Sequence, residues 1–352
     1  MSGGFFRAGA LALVVAVASA GAANAVPAGC NHSCLVDLMN RWLAALPTHS
    51  AAGLPLAPDI RFTEQSAAIP VGDGLFVSAT EAPTTFKIMA VDPDRGQVAA
   101  FTVMKQWGAP VIVAARLKVV DGKIAEAQHV IASAISPAGL ANLATPRQAF
   151  LDDVPAGERT SRAGLLAAAN GYFDAIEQDD GSLAPFAPDC VRRENGTQTV
   201  NNKTPQPSPL DAISPAMKEA MAKIGALNCT EQVNSHFFQY ITMIRPRMAL
   251  VVDEEKGIVF AFPRFVHRGN VRLMDIVGVP GVTTVPMGFG PMDLQAAEVF
   301  KIRKGKIHEV EACGFLNAYM APTGWDDRYP ESYKYAVTHP KTHPYQAGSS
   351  YP

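Results

Sequence analysis

The chain has 352 residues, a net charge of −2, 48% hydrophobic residues and 18% charged residues, a composition typical of a globular protein with a substantial core. Its length suits two domains of about 100–200 residues each. No basic run or basic–aromatic pattern occurs, which argues against nucleic acid as a partner. The G-x-S-x-G elbow, the P-loop and the dinucleotide glycine fingerprint are also missing, so we expect no nucleophilic serine hydrolysis and no cofactor.

The N-terminal residues have the pattern of a secretory signal peptide. Arg7 precedes an uncharged apolar stretch over residues 8–20, and Ala23-Asn24-Ala25 forms an A-x-A cleavage site. The stretch is too short for a comfortable membrane span, and no later segment is apolar enough to cross a bilayer. We predict a signal peptide over residues 1–25 and a periplasmic or secreted protein. A lipid anchor at Cys30 is the alternative, although Pro27 stands where a lipobox has Leu or Val.

The five cysteines allow two disulfides, because export places the chain in an oxidising compartment. We predict that Cys190 pairs with Cys229 and that Cys30 pairs with Cys34. Cys313 is left over, and its apolar setting predicts a buried, inert thiol. The Cys30–Cys34 segment contains the only local metal-like spacing, and it lacks a second group of ligands, so we predict no metal site.

Four segments recur in the same order in two halves of the chain, which indicates an internal duplication. The matched pairs are Leu56-Ala57-Pro58-Asp59 with Phe186-Ala187-Pro188-Asp189, Glu64 with Glu194, residues 91–96 with 252–257, and residues 118–124 with 301–307. Each half begins with apolar residues at helical spacing and continues with alternating, strand-like segments separated by tight turns. This order predicts an α+β fold in which each half has a curved antiparallel sheet with helices on one face.

The spacing of the matches also predicts the domain organisation. We expect a first domain over residues 30–135, a linker over 136–161, a second domain over 162–320 and a C-terminal tail over 321–352. The second domain is longer because it carries two insertions, one between Thr197 and Thr230 and one from Val271 to Met292. Apolar, Gly/Pro-punctuated insertions in a compact domain are typical of binding loops or lids.

The helix, the glutamate-containing strand and the D-x-x-x-G … DGKI hairpin resemble the nuclear transport factor 2-like superfamily, specifically its SnoaL-like branch. The tandem arrangement with C-x-x-x-C-L, a Thr-Glu strand, RRENG and VDEEKGIVF resembles a family of exported bacterial and fungal proteins of unknown function, over nearly all of Cys30 to Trp325. The resemblance implies two tandem cone-shaped domains, each around an apolar pocket. Superfamily members include isomerases, dehydratases, cyclases, epoxide hydrolases, lyases and non-catalytic binders, and no active-site motif of these enzymes recurs here.

Three residues of the second half are candidates for catalysis. Glu194 follows a strand, where partial burial makes a carboxylate a general base, and Asn195 beside it is suited to binding an oxyanion. His267 ends a strand before the second insertion, and its first-half counterpart is Gln106, so the histidine is an addition. The structural alternatives are an ion pair of Glu194 with Arg192 or Arg193 and a solvated turn histidine.

Six further residues are candidates for substrate binding. His236 and Tyr240 have the spacing of one helical face, and Arg247 is suited to an acidic substrate group, although an ion pair with Asp253 or Glu254 explains it equally well. The full set is Tyr240, Arg247, His236, Arg193, Met287 and Phe289. In the first half we interpret the polar set of Glu64, Arg116 and His129 as mainly structural.

These observations favour a cofactor-independent lyase, isomerase or dehydratase in which Glu194 and His267 transfer protons on a small hydrophobic, aromatic or polyketide-like molecule. The alternative is a non-catalytic small-molecule binding protein of the cell envelope. A homodimer is left open. If the enzyme hypothesis holds, both residues face one apolar cavity under residues 271–292.

Overall fold

The structure is a computed structural model that describes Met1, residues 30–204 and residues 215–329, with side chains from residue 217 onwards in the last range. The predicted signal peptide and cleavage site lie outside the described residues, as does the tail from residue 330. Within the described ranges, no helix has the length and apolarity that crossing a membrane requires.

The first half consists of one long helix, one short helix and seven strands, followed by two short helices. They are α1 (His32–Ala45), β1 (Leu56–Glu64), β2 (Ala67–Ala68), α2 (Leu75–Ser78), β3 (Ala79–Glu81), β4 (Lys87–Asp92), β5 (Gln97–Gln106), β6 (Ala109–Val120), β7 (Lys123–Ala132), α3 (Pro137–Asn142) and α4 (Gln148–Leu151). Asn31 caps α1 by accepting a hydrogen bond from the backbone of Cys34.

The second half repeats this order with additional elements. They are α5 (Arg162–Gln178), β8 (Phe186–Glu194), β9 (Thr197–Gln198), α6 (Pro215–Gly225), α7 (Cys229–Asn234), β10 (Met243–Ile244), β11 (Ala249–Asp253), β12 (Ile258–Ala261), β13 (Arg264–His267), β14 (Leu273–Asp275), β15 (Thr284–Pro286), β16 (Met292–Arg303) and β17 (Lys306–Ala318). The whole is a mixed α+β protein with few helices and two curled, largely antiparallel sheets.

The two sheets have the same strand order. In the first, β1 runs parallel to β7, which is followed across the sheet by β6, β5 and β4. In the second, β8 runs parallel to β17, followed by β16, then β12 and β13, and β11 pairs with β12. The registers also agree. Ala100 pairs with Ala115 in the first sheet, and the residues that the repeat aligns with them, Ala261 and Glu298, pair with each other in the second sheet.

The repeated turns need glycine for the same reason in both halves. Gly96 and Gly257 both have a φ of 60°, in the left-handed region. A Cβ atom at Gly96 would lie 2.5 Å from the carbonyl oxygen of Val119, and one at Gly257 would lie 2.2 Å from that of Ile302. Glycine alone therefore lets the chain turn this close to the neighbouring strand.

The two insertions of the second half pack on each other. The turn between β5 and β6 contains only Trp107 and Gly108, whereas residues 268–291 connect β13 to β16 and contain the β14–β15 hairpin. A separate apolar cluster joins this hairpin to helix α6. We call α6 and residues 268–291 the cap.

Each long helix covers the inner face of its own sheet, while the outer faces of the sheets pack against each other. Apolar residues of α1 and α5 form the inner cores, and a third core combines residues of both sheets. At its edge the Asp92 carboxylate accepts a hydrogen bond from Val252 N (3.2 Å), and the Asp253 carboxylate accepts one from Val91 N (3.0 Å). The interface between the halves is therefore close to two-fold symmetric.

The segment that follows each sheet covers the outer face of the other sheet. After β7, Arg147 donates hydrogen bonds to the carboxylates of Glu309 and Glu311 on β17. After β17, Arg328 donates to the Glu126 carboxylate on β7, and Trp325 donates from its indole to Thr63 at 3.1 Å. We call residues 133–161 and 319–329 the exchanged arms.

Both predicted disulfides are confirmed. Cys30 is bonded to Cys34, with Cα atoms 5.2 Å apart, and Cys190 is bonded to Cys229, with Cα atoms 6.0 Å apart. The sulfur of Cys30 is consequently not free to carry a lipid. Cys313 is a buried free thiol whose pKa is raised by burial, so it is inert at neutral pH.

Candidate functional site

Polar side chains cluster on the inner face of the second sheet, beneath helix α5. We call these five residues the polar cluster: Tyr172, Arg192, Glu194, Tyr240 and Glu298. They come from α5, β8, β16 and the segment before β10. The cluster is set in an otherwise apolar core, so its charges and hydrogen bonds act in surroundings of low polarity.

Glu298 lies deepest in the polar cluster. Side chains alternate along β16, so Glu298 shares the inner face with Ala296 and Phe300. Its neighbours across the strands are Ala261 and Ala312, both with small apolar side chains. The residue is only 5% exposed, and its Oε2 atom has no hydrogen-bond partner. The outer face has an unpartnered carboxyl oxygen at Glu311, so Glu298 is set apart by its place on the inner face beside Tyr172 and Arg192.

Burial is the main cause of a raised pKa at Glu298. Desolvation and the negative charge of Glu194 bring the pKa to about 8, against the opposing effects of Arg192 and of a hydrogen bond from Tyr172. The carboxyl group is therefore mostly protonated at neutral pH and able to donate a proton. Desolvation also raises the pKa values of Tyr172 and Tyr240, so both phenols keep their protons.

Arg192 and Glu194 connect the deep part of the cluster to solvent. Their side chains project from the same face of β8, and the Nε atom of Arg192 lies 2.8 Å from Oε1 of Glu194. Arg192 is buried and hydrogen-bonds Tyr172, and its guanidinium carbon lies 4.9 Å from the centre of the Phe238 ring. The Glu194 side chain is 50% exposed. The predicted ion-pair alternative for Glu194 is therefore present, with Arg192 as its partner.

His267 lies beside the cluster with both ring nitrogens occupied. Nδ1 is 2.9 Å from the carbonyl oxygen of Tyr240, and Nε2 is 3.2 Å from that of Phe289 in the cap. The ring is buried and lies edge-on to the Tyr240 ring, with centroids 5.6 Å apart. The alternative of a solvated turn histidine is thus wrong. The charge of Glu194 raises the pKa of Tyr240, and His267 packs edge-on against the same ring. The ring nitrogens of His267 are directed at backbone carbonyls.

Asn195 and Arg193 have surroundings that differ from those predicted. Asn195 is in a turn with a φ of 46°, and its Oδ1 atom accepts a hydrogen bond from Gly314 N at 3.2 Å. Arg193 projects from the opposite face of β8 to Arg192, because neighbouring strand residues alternate. It donates to the carbonyl oxygen of Asn142, on the side of the exchanged arm, so its placement in the substrate site was wrong.

Arg247 and His236 also lie outside the polar cluster. Arg247 forms ion pairs with Asp174 (2.7 Å) and Glu177 (2.6 Å) of α5, which corrects both the substrate-clamp prediction and the predicted pairing with Asp253 or Glu254. His236 is exposed and has a φ of 62°, because α7 ends at Asn234. His236 and Tyr240 therefore do not share a helical face.

The two predicted binding residues of the second insertion belong to the cap. Met287 is buried in the apolar cluster between α6 and the β14–β15 hairpin. The Phe289 side chain is partly exposed, and its backbone carbonyl contacts His267. Tyr240 packs against both the cap and the inner core. A molecule bound at Tyr240 would therefore meet the cap.

On the inner face of the first sheet, the polar side chains at the positions that match the polar cluster have hydrogen-bond partners. Trp42 donates from its indole to Nε2 of His129 at 2.8 Å, and Nδ1 of His129 lies 3.0 Å from the Glu64 carboxylate. Leu75 N donates to the same carboxylate at 3.0 Å. Phe62 packs edge-on against both rings, with centroids 5.7 Å from Trp42 and 4.9 Å from His129. The analogous set is thus a satisfied and filled core, apart from Arg116, which pairs with Glu126 on the outer face.

Sequence reasoning missed Glu298, Tyr172 and Arg192 as members of a site. One signal was available. When the repeats are aligned on residues 118–124 and 301–307, Glu298 falls on Ala115, so a carboxylate replaces a small apolar residue within a strand. Among the described residues, no group of three or more His, Cys, Asp and Glu side chains is arranged to hold a metal ion.

Comparisons with known proteins give few relationships. The model of a protein family described as a domain of unknown function, DUF8021, matches residues 158–314, less than half of the chain but including the polar cluster. No curated protein matches significantly. Among solved structures, AclR, a putative hydroxylase from Streptomyces galilaeus, is 16% identical over 50% of this chain and 94% of its own, with a TM-score of 0.23. A similarity this weak carries no argument about fold or function.

Proposed function

We propose that the second half is a cofactor-independent acid–base catalyst of the lyase, isomerase or dehydratase type, acting on a small hydrophobic molecule. The observation that carries this proposal is the buried Glu298 carboxyl group, which has an unpartnered Oε2 atom, a hydrogen bond from Tyr172 and an electrostatic interaction with the ion-paired Glu194 carboxylate. Burial of this group is costly, because it loses water and gains the hydrogen bond from Tyr172 at one oxygen only.

The two carboxyl groups divide the roles of acid and base. Glu298, with a pKa of about 8, holds a proton at neutral pH, whereas Glu194 is paired with Arg192 and serves as the proton acceptor. In a dehydration, Glu194 takes a proton from carbon, the released electron pair forms a double bond, and the carbon–oxygen bond breaks. Glu298 then gives its proton to the departing hydroxyl group, which leaves as water.

His267 has a supporting role in this scheme. Its contacts with the carbonyl oxygens of Tyr240 and Phe289 connect the polar cluster to the cap. This replaces the earlier hypothesis that His267 exchanges protons with the substrate. The cap then limits the entry of water, as lids do in many enzymes.

The alternative is a non-catalytic binding protein that uses the same region. The composition of the cap favours it. Methionines adapt to ligands of different shape, and the cap cluster includes Met217, Met274 and Met287. In this alternative the polar cluster fixes the orientation of the ligand and no proton moves.

We further propose that the two halves are tandem nuclear transport factor 2-like, SnoaL-like cones, and that the chain is exported to the periplasm or secreted. The shared strand order supports the first proposal. The two disulfides support the second, because such bonds persist in oxidising compartments. A homodimer would need a surface other than the outer sheet faces, since these cover each other.

Hydrogen–deuterium exchange tests the catalytic proposal without the natural substrate. A panel of uncharged, hydrophobic cyclic ketones and β-hydroxy ketones is incubated with the protein in D2O, and the loss of the C–H signal next to the carbonyl is followed by NMR. We expect the parent to accelerate exchange for at least one compound. Glu298→Gln and Glu194→Gln should each lower the rate by about 100-fold or more.

Asp293→Asn is the matched control, because Asp293 is a buried carboxyl group on the same strand, β16, and projects from the other face. It should exchange at the parent rate. If the parent binds compounds of the panel and exchanges none of them, the binding protein becomes the better proposal.

A further inference from the structure

The first insertion supplies a buried glutamine to the guanidinium group of Arg192. Arg192 donates from Nη2 to Oε1 of Gln232, which is carried by helix α7. The amide nitrogen of Gln232 donates to the carbonyl oxygens of Thr199 (2.6 Å) and Ile224 (3.2 Å). These two acceptors fix the orientation of the amide, because only its nitrogen can donate to them. The oxygen of Gln232 is therefore held towards Arg192.

A disulfide joins the two elements that carry this contact. Cys229 begins α7, and Gln232 follows three positions later, on the same side of the helix. Cys190 lies two residues before Arg192 and projects from the same face of β8. The Cys190–Cys229 bond thus joins α7 to β8 close to the Gln232–Arg192 hydrogen bond. The bond lies about one helical turn before Gln232 on α7 and two residues before Arg192 on β8.

The first half lacks all parts of this arrangement. Phe62 occupies the position of Arg192 and Ile60 that of Cys190, and the first half has no insertion between β2 and α2 that corresponds to α6 and α7. Gln232, the disulfide and Arg192 therefore occur together in the half that contains the polar cluster.

We infer that Gln232 is a positioning residue, and that the Cys190–Cys229 disulfide sets its place so that Arg192 is held between Tyr172 and Glu194. The inference rests on the proposed function only in treating the polar cluster as the site. Gln232 does not touch the reacting groups and acts through Arg192. Without it, the guanidinium group keeps its hydrogen bonds with Thr199 and Tyr172 but loses its anchor at Nη2, so its half-exposed ion-pair partner Glu194 draws it towards solvent.

Titration of Glu298 reports the position of Arg192. The charged and titratable groups that act on Glu298 are Tyr172 on α5 and Arg192 and Glu194 on β8. Arg192 lowers the pKa of Glu298. If the guanidinium group moves away, the pKa of Glu298 must rise, because the favourable interaction with the charged form is lost.

The experiment is a 13C NMR titration of the glutamate side-chain carboxyl groups in the full protein, with the Glu298 signal assigned from its absence in Glu298→Gln. In Gln232→Met and in the double variant Cys190→Ala, Cys229→Ala, we expect the Glu298 midpoint to rise by about 0.5 pH unit or more. Gln232→Met keeps the volume of the side chain, so it tests the hydrogen bond even if the disulfide variant is poorly folded.

Two matched controls separate positioning from a general loosening of the fold. Gln239→Met removes a buried glutamine that also donates to two backbone carbonyls, of His236 and Asp275, without contacting Arg192. Cys30→Ala, Cys34→Ala removes the other disulfide. Both should titrate within about 0.2 pH unit of the parent. An unchanged midpoint in Gln232→Met, or an equal rise in the controls, would overturn the inference. Since no substrate is present, a failure of the proposed catalysis leaves this titration interpretable.

Discussion

The two halves share a strand order and a register, yet one interior is filled and the other is polar. Trp42 and Tyr172 each stand seventeen positions before the repeated Asp59 and Asp189. The interior positions that differ are Trp42 against Tyr172, Phe62 against Arg192, Ala115 against Glu298, and His129 against Ala312. At these positions the first half has Phe62 and Ala115, whereas the second half has Arg192, which pairs with the half-exposed Glu194, and the Glu298 carboxyl group.

This difference shows how a duplicated fold can separate stability from chemistry. In the first half the Trp42–His129–Glu64 hydrogen bonds satisfy every polar group of the set that the rings surround. In the second half, Ala312 stands where the first half has His129, and the Oε2 atom of Glu298 has no partner. The packed half can therefore stabilise a neighbour whose interior is less well satisfied.

The largest effect is expected when the polar group is moved into the filled half. Ala115 is fully buried, and both ring nitrogens of the facing His129 already have partners. Ala115→Glu should lower the free energy of unfolding by about 3–5 kcal/mol, because the new carboxyl group finds neither space nor partner. Urea unfolding monitored by tryptophan fluorescence measures this loss.

The reverse change in the second half is the control. Glu298→Ala should cost less than about 2 kcal/mol, because it removes a group whose burial is itself unfavourable. If the two variants lose equal stability, the interiors do not differ in the way the contacts indicate.

A pH-dependent effect should distinguish Glu298 from other buried carboxyl groups. Its folded-state pKa of about 8 lies above its ordinary value of 4.5, so the folded protein binds the proton more tightly than the unfolded chain. The contribution of Glu298 to stability is therefore most favourable below about pH 4.5 and falls as the pH rises to about 8, by at most about 1.4 kcal/mol per unit. Glu298→Gln should match the parent at pH 5 and exceed its stability by about 4 kcal/mol at pH 9.

Asp293→Asn provides the comparison for this titration. Burial raises the pKa of Asp293 to about 6. The difference in stability between Asp293→Asn and the parent should therefore reach its full size near pH 7 and stay constant at higher pH. Thermal unfolding at a series of pH values resolves the two profiles. A Glu298→Gln profile parallel to the parent between pH 5 and pH 9 would show that Glu298 titrates normally.

The two exchanged arms should contribute unequally to the free energy of unfolding. Arg147 is 12% exposed and bridges Glu309 and Glu311, whereas Arg328 is 45% exposed and contacts Glu126. Arg147→Ala should therefore lower the free energy of unfolding by about 2–3 kcal/mol, since the buried Glu311 and the partly buried Glu309 both lose their ion-pair partner. Arg328→Ala should cost less than about 1 kcal/mol, as exposed ion pairs do. Equal losses in chemical denaturation would mean that the arms are equivalent.

The sequence predicted the α+β class, both disulfides and the turns at Gly96 and Gly257, because repeats and glycines leave clear local patterns. It could not single out Glu298. Strand β16 is buried on both faces, by α5 on one side and by the first half on the other. Polar residues of both faces, such as Gln295, Glu298 and Lys301, therefore look alike in sequence, since alternation is readable only when one face meets water.

The placement of Arg193 and Arg247 was wrong for a related reason. Adjacent arginines on β8 project to opposite faces, and nothing local tells which face a separate segment will cover. Arg247 pairs with residues about 70 positions earlier in the chain. Such contacts depend on how the halves and helices assemble, which a single sequence read along its length does not reveal.

The exchanged arms have a consequence for the order in which the protein matures. As the chain leaves the ribosome, the first sheet is complete at residue 132, yet its outer face receives Trp325 and Arg328 only after the entire second sheet has been synthesised. The outer face of the first sheet therefore stays exposed while about 200 further residues are synthesised, which takes on the order of 10–40 s at usual translation speeds. We expect newly made chains to need protection during this interval, and chains truncated before residue 325 to be more prone to aggregation than the complete protein.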